Sequence, residues 1–236
     1  MSLEKCDLDC SFCNEINGYE HNNLFLEYFQ EYDDIDNRLV LVTENFCVMP
    51  SIGPLTEGHL LILPKEHYLS YAHIPIVRYN ELGQIKSATK LLLQEVYHCP
   101  VFFEHGPMSE TLRGGCCYDH AHIHAIPLKI DIEDEFHGFG FTPRKIDKLE
   151  GLIQQKDRNM PYLFFENQYG EKFVCDAPIV ESQFIRKLLA IKAEKRENIF
   201  WQQNLNIGLV VSSLQSLKSA LNNHKWRTNK WLQSVV

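Results

Sequence analysis

No stretch of the 236-residue chain approaches the roughly 18 consecutive apolar residues of a membrane-spanning helix. The opening residues, MSLEKCDLDC, lack the apolar core that a secretory signal peptide needs, so a cytoplasmic location is expected. An excess of basic charge is also missing. Lys and Arg number 23 against 31 Asp and Glu, and the net charge of -8 argues against broad binding to long nucleic acids. A small anionic ligand stays compatible with that balance, because a few local donors suffice to hold one phosphate. No internal repeat and no low-complexity tract is visible. What is present is an ordinary globular composition, 44% hydrophobic and 23% charged, which can build a core without staples. Eight cysteines without an export signal read as free thiols and metal ligands rather than disulfides.

The hydrophobic pattern predicts short strands over Leu39–Thr43 and Phe46–Met49 about a Glu44-Asn45 turn. Ser51–Gly58 carries turn residues and reads as a loop, and His59–Leu63 reads as a buried strand stopped by Pro64. Helical spacing of Leu82, Ile85, Leu92 and Val96 predicts a helix within Ile76–Tyr97. Val101–Phe103 is the next strand, and Arg113-Gly114-Gly115 is a loop leading to His120. This order predicts helices on one side of a mostly antiparallel sheet. A second region begins near Asp131. It holds a hairpin of Tyr162–Phe165 and Lys172–Cys175 about Tyr169-Gly170, and a helix bearing Phe184, Leu188 and Ile191 with Ser182 as its N-cap. From Ser213 a last helix carries Lys218, Lys225, Arg227 and Lys230 with Trp226 and Trp231. A solvated face with inward aromatics is the expectation there.

The chemistry concentrates in His120, His122 and His124. Strict alternation puts the three imidazoles on one face of a strand, with Ala121, Ile123 and Ala125 on the other, and Pro127 ends it. Three buried rings on one face would pack poorly without polar partners. A metal patch or an exposed polar face is the plainer alternative. A neutral imidazole nitrogen can attack phosphorus to give a covalent phosphoramidate, while neighbouring rings donate to the phosphate oxygens.

The run Asp119-His120-Ala121-His122-Ile123-His124-Ala125-Ile126-Pro127 resembles the histidine triad family. So do Gly58-His59-Leu60-Leu61-Ile62-Leu63-Pro64-Lys65-Glu66-His67 and Cys10-Ser11-Phe12-Cys13. Together these segments span roughly residues 6–130, and the resemblance is to a longer, bacterial-type member with a C-terminal extension. It implies an α+β fold, a histidine-triad-like antiparallel sheet with two helices, plus a mixed α/β extension. The division expected is a catalytic domain over 1–130 and an extension over 131–236 packed on it.

The resemblance implies His122 as the nucleophile, His124 as a phosphate contact and His59 as the upstream histidine facing them. It implies Cys10, Cys13, His67 and His120 as ligands of a structural zinc. A closed Cys2His2 set suits that ion, with ordinary buried thiols as the alternative and Cys6 as a spare ligand. Ser51, Ile52, Glu104, Gly115, Cys116 and Cys117 form the expected substrate-binding set. Four positions depart from the family's habit. Cys116 and Cys117 stand where Gln and Ser are common, Ser51 where an acidic residue reads the ribose, and Glu104 where an Asn lies near the phosphate. Arg186 and Lys187 are expected at the solvent-facing end of their helix, with contact to a phosphate as the alternative.

The function implied is a nucleotide hydrolase or phosphoramidase acting through a covalent nucleotidyl-His122. Two alternatives stay open: a nucleotidyltransferase or dinucleoside-polyphosphate phosphorylase, and a nucleotide-binding module with little turnover. The partner expected is a small nucleotide, with no long nucleic acid and no membrane. A homodimer is implied by the habit of small family members, unless the extension covers that surface.

Overall fold

The computed structural model describes residues 7–116, 120–223 and 226. Its strands are β1 (Leu41–Val42), β2 (Phe46–Pro50), β3 (Leu60–Pro64), β4 (Val101–Gly106), β5 (Ile123–Ile126), β6 (Arg144–Ile146), β7 (Tyr162–Glu166) and β8 (Lys172–Asp176). They form one sheet in the order β1-β2-β3-β5-β4-β7-β8-β6, antiparallel at every pairing. The α-helices are α1 (Ser11–Asn17), α2 (Leu24–Tyr28), α3 (Tyr79–Val96), α4 (Glu133–Gly138), α5 (Ile153–Asp157), α6 (Phe184–Lys192) and α7 (Ile207–Leu221). The α+β class read from the sequence stands. Among the described residues no helix is long and apolar enough to cross a membrane.

Side chains alternate across the central strands, so each buries two different sets. Phe102, Tyr162, Phe164, Val174, Ile123 and Ala125 join the larger core with Leu82, Ile85 and Leu92 of α3 and Val210, Leu214 and Leu217 of α7. On the opposite face Val101, Phe103, Leu163 and Phe165 pack against Phe184, Ile185, Leu188 and Leu189 of α6. Helices therefore cover both faces, not the single face expected. The reason is long-range. β7 pairs with β4 from Phe102↔Glu166 to Gly106↔Tyr162, so the chain beyond 131 widens the same sheet and brings α6 to its second face.

Local details differ where caps and strand ends decide. The histidine segment is shorter as a strand than its alternation suggests: β5 begins at Ile123, and His120 and His122 precede it in extended chain. Helix α6 is capped by Gln183 at φ 62°, not by Ser182. Helix α7 begins at Ile207, six residues before Ser213, and buries Ser213 itself. Trp226 is buried as expected and its Nε1 donates to Glu95 at 3.2 Å. Lys225, Arg227, Lys230, Trp231, Cys6 and Cys117 lie outside the described residues.

The C-terminal segments also clamp the loop between β2 and β3. Gly58 N–H donates to Ser213 Oγ at 2.9 Å, and Gly53 N–H donates to Leu205 O at 2.7 Å. Gly53 needs its left-handed φ of 64°, and a Cβ there would collide with Trp201.

Candidate active site and metal centre

His122 is anchored by its neighbour's backbone. Its Nδ1–H donates to His120 O at 2.7 Å, which fixes the tautomer and leaves the Nε2 lone pair available. The His124 ring lies 4.8 Å away, centroid to centroid, nearly perpendicular, and stacks on Phe103 at 4.3 Å. Antiparallel pairing of β3 and β5 sets Leu61 opposite His124, and His59, just before β3, reaches the same ring. The two imidazoles meet at 2.9 Å, His59 Nε2 to His124 Nδ1. Leu55 N–H donates to His59 Nδ1 at 3.1 Å. A backbone amide can only donate, so His59 Nδ1 accepts and its Nε2–H donates to His124. His124 in turn keeps its proton on Nε2. The backbone thus orients two rings in series.

Burial holds these rings neutral. Desolvation pushes His122 down to about 4, and it pushes His59 and His124 well below the ordinary histidine range. The positive field of Arg186 adds to the shift at both His59 and His124. His105 is held down to about 3, again by desolvation first and then by His122. Ile185 N–H at the start of α6 donates to His105 Nε2 at 3.2 Å, so this ring carries its proton on Nδ1.

One pocket, about 600 Å³ with its open mouth included, collects His122 and His124 with Ser51, Ile52, Gly115 and Cys116. Phe12, Leu24, Leu61 and Trp201 add apolar wall. Of the expected substrate-binding set, Glu104 is the one described residue that does not come to the pocket. Its carboxylate lies on the other face of β4, where Tyr71 N–H donates to Oε1 at 2.8 Å and Tyr162 O–H to Oε2 at 2.5 Å. The next residue, His105, lines the pocket instead.

Arg38 and Gln183 were not expected there, and Arg186 only as the alternative to a solvent-facing position. Arg38 is buried and ion-paired to Glu15 at 2.5 Å, and it also donates to Pro50 O. Arg186 does not face solvent. It is buried, with Nη2 donating to Gly53 O and Asn198 O at 2.6 Å each and Nε to Ile199 O at 3.0 Å. Lys187 does keep to the surface and pairs with Glu181 at 2.6 Å. No local pattern marks Arg186, because a buried arginine bonded to carbonyls and a solvated one read alike along a helix. His105 had a faint signal, since it alternates with Phe103 along β4.

The second cluster lies behind His120. One ligand atom each from Cys10, Cys13, His67 and His120 falls within 4.8 Å of all the others, so the four could hold a metal ion. Cys10 Sγ and Cys13 Sγ lie 3.4 and 3.5 Å from His120 Nδ1, and Cys13 Sγ is 3.5 Å from His67 Nδ1. Sulfur and nitrogen ligands of one tetrahedral zinc sit about 3.5 Å apart, so the spacing fits. The outer nitrogen of His120 is also oriented: Nε2–H donates to Pro64 O at 2.9 Å. The thiols differ. Hydrogen bonding from Cys13 lowers Cys10, and the same contact raises Cys13. Two cysteine sulfurs and two imidazoles make a soft, closed donor set.

Residues 29–138 match a sequence family described as "Protein similar to CwfJ C-terminal". Adenosine 5'-monophosphoramidase HNT1 of Candida albicans is 26% identical over 154 residues, covering 62% of this chain and 88% of that protein. The similarity to that phosphoramidase thus runs over most of its length. Zinc finger CCCH domain-containing protein 59 of Oryza sativa is 28% identical over 98 residues, or 41% of this chain, and the match spans 15% of the rice protein. Among solved structures, a Zn-bound histidine triad family protein from Mycobacterium smegmatis aligns with a TM-score of 0.39 and 18% identity, over 64% of this chain and 97% of that one.

Proposed function

We propose that this chain is a nucleotide hydrolase or phosphoramidase that works through a covalent nucleotidyl-His122. The observation that carries this reading is the fixed tautomer of His122, whose Nε2 is left as a lone pair among pocket-lining groups. Because the ring is neutral, that pair is ready at ordinary pH. Nε2 attacks phosphorus, a P–N bond forms, and the bond to the leaving group breaks with its electron pair. An amine already protonated on nitrogen leaves neutral. The charge gained by the His122 ring is met by His120 O at Nδ1. His124 Nε2–H and the field of Arg186 favour the developing negative charge on phosphate oxygen. Water then attacks phosphorus, the P–N pair returns to His122, and a proton passes to solvent.

In this reading residues 1–130 carry the chemistry and residues 131–236 cover it. Ser51, Ile52, Gly115 and Cys116 touch the nucleotide. The Cys10-Cys13-His67-His120 cluster holds a structural zinc, which when bound fixes the segment that leads into His122. The relative from Candida albicans bears the name of a monophosphoramidase, which supports the substrate class.

A second reading is nucleotidyl transfer or phosphorolysis, favoured by the wall that Gln183, Arg186 and Trp201 add to the pocket, since a transferase must keep water out. The deciding experiment uses adenosine 5'-phosphoramidate and a dinucleoside polyphosphate, each with and without inorganic phosphate, on wild type and His122→Ala. Release without phosphate marks hydrolysis, and release only with phosphate marks phosphorolysis. Equal rates in wild type and His122→Ala sink the nucleophile assignment, and tight binding with no release favours a binding module. A single peak at twice the chain mass in light scattering would add the homodimer to this reading.

A further inference from the structure

Gln183 combines three features that the packing of α6 does not require. Its backbone sits at φ 62° and ψ 28°, a left-handed conformation that a residue with a Cβ rarely adopts. The residue is buried, with 9% exposure, and lines the pocket that holds His122 and His124. Its Oε1 is buried without a hydrogen-bond partner among the described residues. An unmet polar atom in a site is costly until something fills it.

The backbone around Gln183 is fully employed in holding it there. Gln183 N–H donates to Gly115 O at 2.9 Å, and Lys187 N–H closes the first turn of α6 on Gln183 O at 2.9 Å. Gly115 has a φ of 76°, and a Cβ on it would collide with Glu181 O, so the two segments meet closely. Two residues further on, Ile185 N–H fixes His105. Gln183 therefore belongs to the Gly115–His105 end of the pocket. Phe12, by contrast, packs 5.8 Å from both the His120 and His122 rings, toward the cysteine cluster. The apolar end suits a base, and the amide end suits the group on the other side of phosphorus.

We propose that Gln183, carried in by the segment beyond residue 131, is a substrate-binding residue that accepts a hydrogen bond from an N–H or O–H of the leaving group. The pocket would then prefer leaving groups that bear such a hydrogen over those that do not. This rests on the reading of His122 as the nucleophile.

The test compares two probes, adenosine 5'-phosphoramidate, whose leaving nitrogen bears hydrogens, and the p-nitrophenyl ester of adenosine 5'-monophosphate, whose leaving oxygen departs as an aryloxide and bears none. Gln183→Gly removes the amide and relaxes the left-handed backbone, so this variant keeps or raises the melting temperature. The expected result is a fall of about 10- to 100-fold in the ratio of kcat/KM for the phosphoramidate over the p-nitrophenyl ester. Gln183→Asn, which also tolerates this backbone, gives an intermediate ratio. An unchanged ratio in Gln183→Gly overturns the proposal while leaving His122 standing, provided that His122→Ala is inactive. If wild type and His122→Ala do not differ on either probe, the underlying reading fails first and the leaving-group contact goes with it.

Discussion

His59 Nε2 and His124 Nδ1 lie 2.9 Å apart, and the direction of the hydrogen bond between them is set by Leu55 N–H on the far side of His59. His124 can therefore present only Nε2–H toward a bound phosphate. Replacing His59 frees the His124 ring to turn and to change tautomer. For His59→Ala, kcat on adenosine 5'-phosphoramidate is expected to fall by about 10- to 100-fold with a smaller change in KM, the loss typical of a mispositioned group. Nitrogen NMR of the His124 ring should show mixed tautomers in that variant. An unchanged kcat would confine His59 to packing.

Glu104 governs a stability profile rather than the chemistry. Desolvation raises its carboxyl to about 8, although Tyr162 and Tyr71 both donate to it. The unfolded chain ionises this group near 4.3. Between those values the folded state holds a proton that the unfolded state has lost. Its contribution is therefore complete below about 4.3 and is lost as pH rises through about 8, by up to about 1.4 kcal/mol per pH unit. Urea midpoints from pH 4.5 to 8.5 should fall less steeply in Glu104→Gln than in wild type. Parallel profiles would show that Glu104 is ionised throughout.

The parts legible in the sequence were those set by short spacing. His120, His122 and His124 are alternate residues, so their shared side follows from chain geometry even though regular pairing begins only at Ile123. Cys10 and Cys13 lie three apart, a spacing that one helical turn brings together, as α1 does with Cys13 N–H donating to Cys10 Sγ. What depended on register or on distant contacts was not legible. Whether Glu104 or His105 meets the pocket is a matter of parity along β4, where a one-residue slip exchanges the faces. The pairing of β4 with β7, and so the arrival of Gln183 and Arg186, joins residues about 60 apart through ladder bonds that leave no local mark.

Lys86 of α3 and Glu166 of β7 tie the helix to that added strand. They meet at 2.7 Å, both nearly buried, and Lys86 Nζ also lies 4.0 Å from the centre of the Phe102 ring. Burial lowers the Lys86 ammonium despite the partner carboxylate. Removing the lysine alone leaves a buried carboxylate, with Lys172 at 3.9 Å as its remaining cation. Lys86→Ala should destabilise by about 3–5 kcal/mol, whereas Lys86→Met combined with Glu166→Leu should cost much less. Urea unfolding of the three proteins checks this. A double variant as unstable as the single one would mean that packing volume, not charge, sets the cost.

His120 links the metal cluster to the chemistry, because its Nδ1 faces the two cysteines while its carbonyl orients His122. With zinc bound, the His120 ring is held at Nδ1 as well as by Pro64 O at Nε2, and the carbonyl is steadied through it. Purified protein should contain one zinc per chain, and chelation or Cys13→Ser should remove it. If the ion contributes about 3 kcal/mol, the melting temperature drops by roughly 6–12 °C for a chain of this size. Turnover should fall with it at temperatures where the protein is still folded, since the loosened His120 carbonyl no longer fixes the His122 tautomer. Restoring zinc to the chelated protein should recover both, and Cys13→Ser should recover neither. A metal-free preparation with the same melting temperature and the same kcat would separate His122 from the cluster altogether.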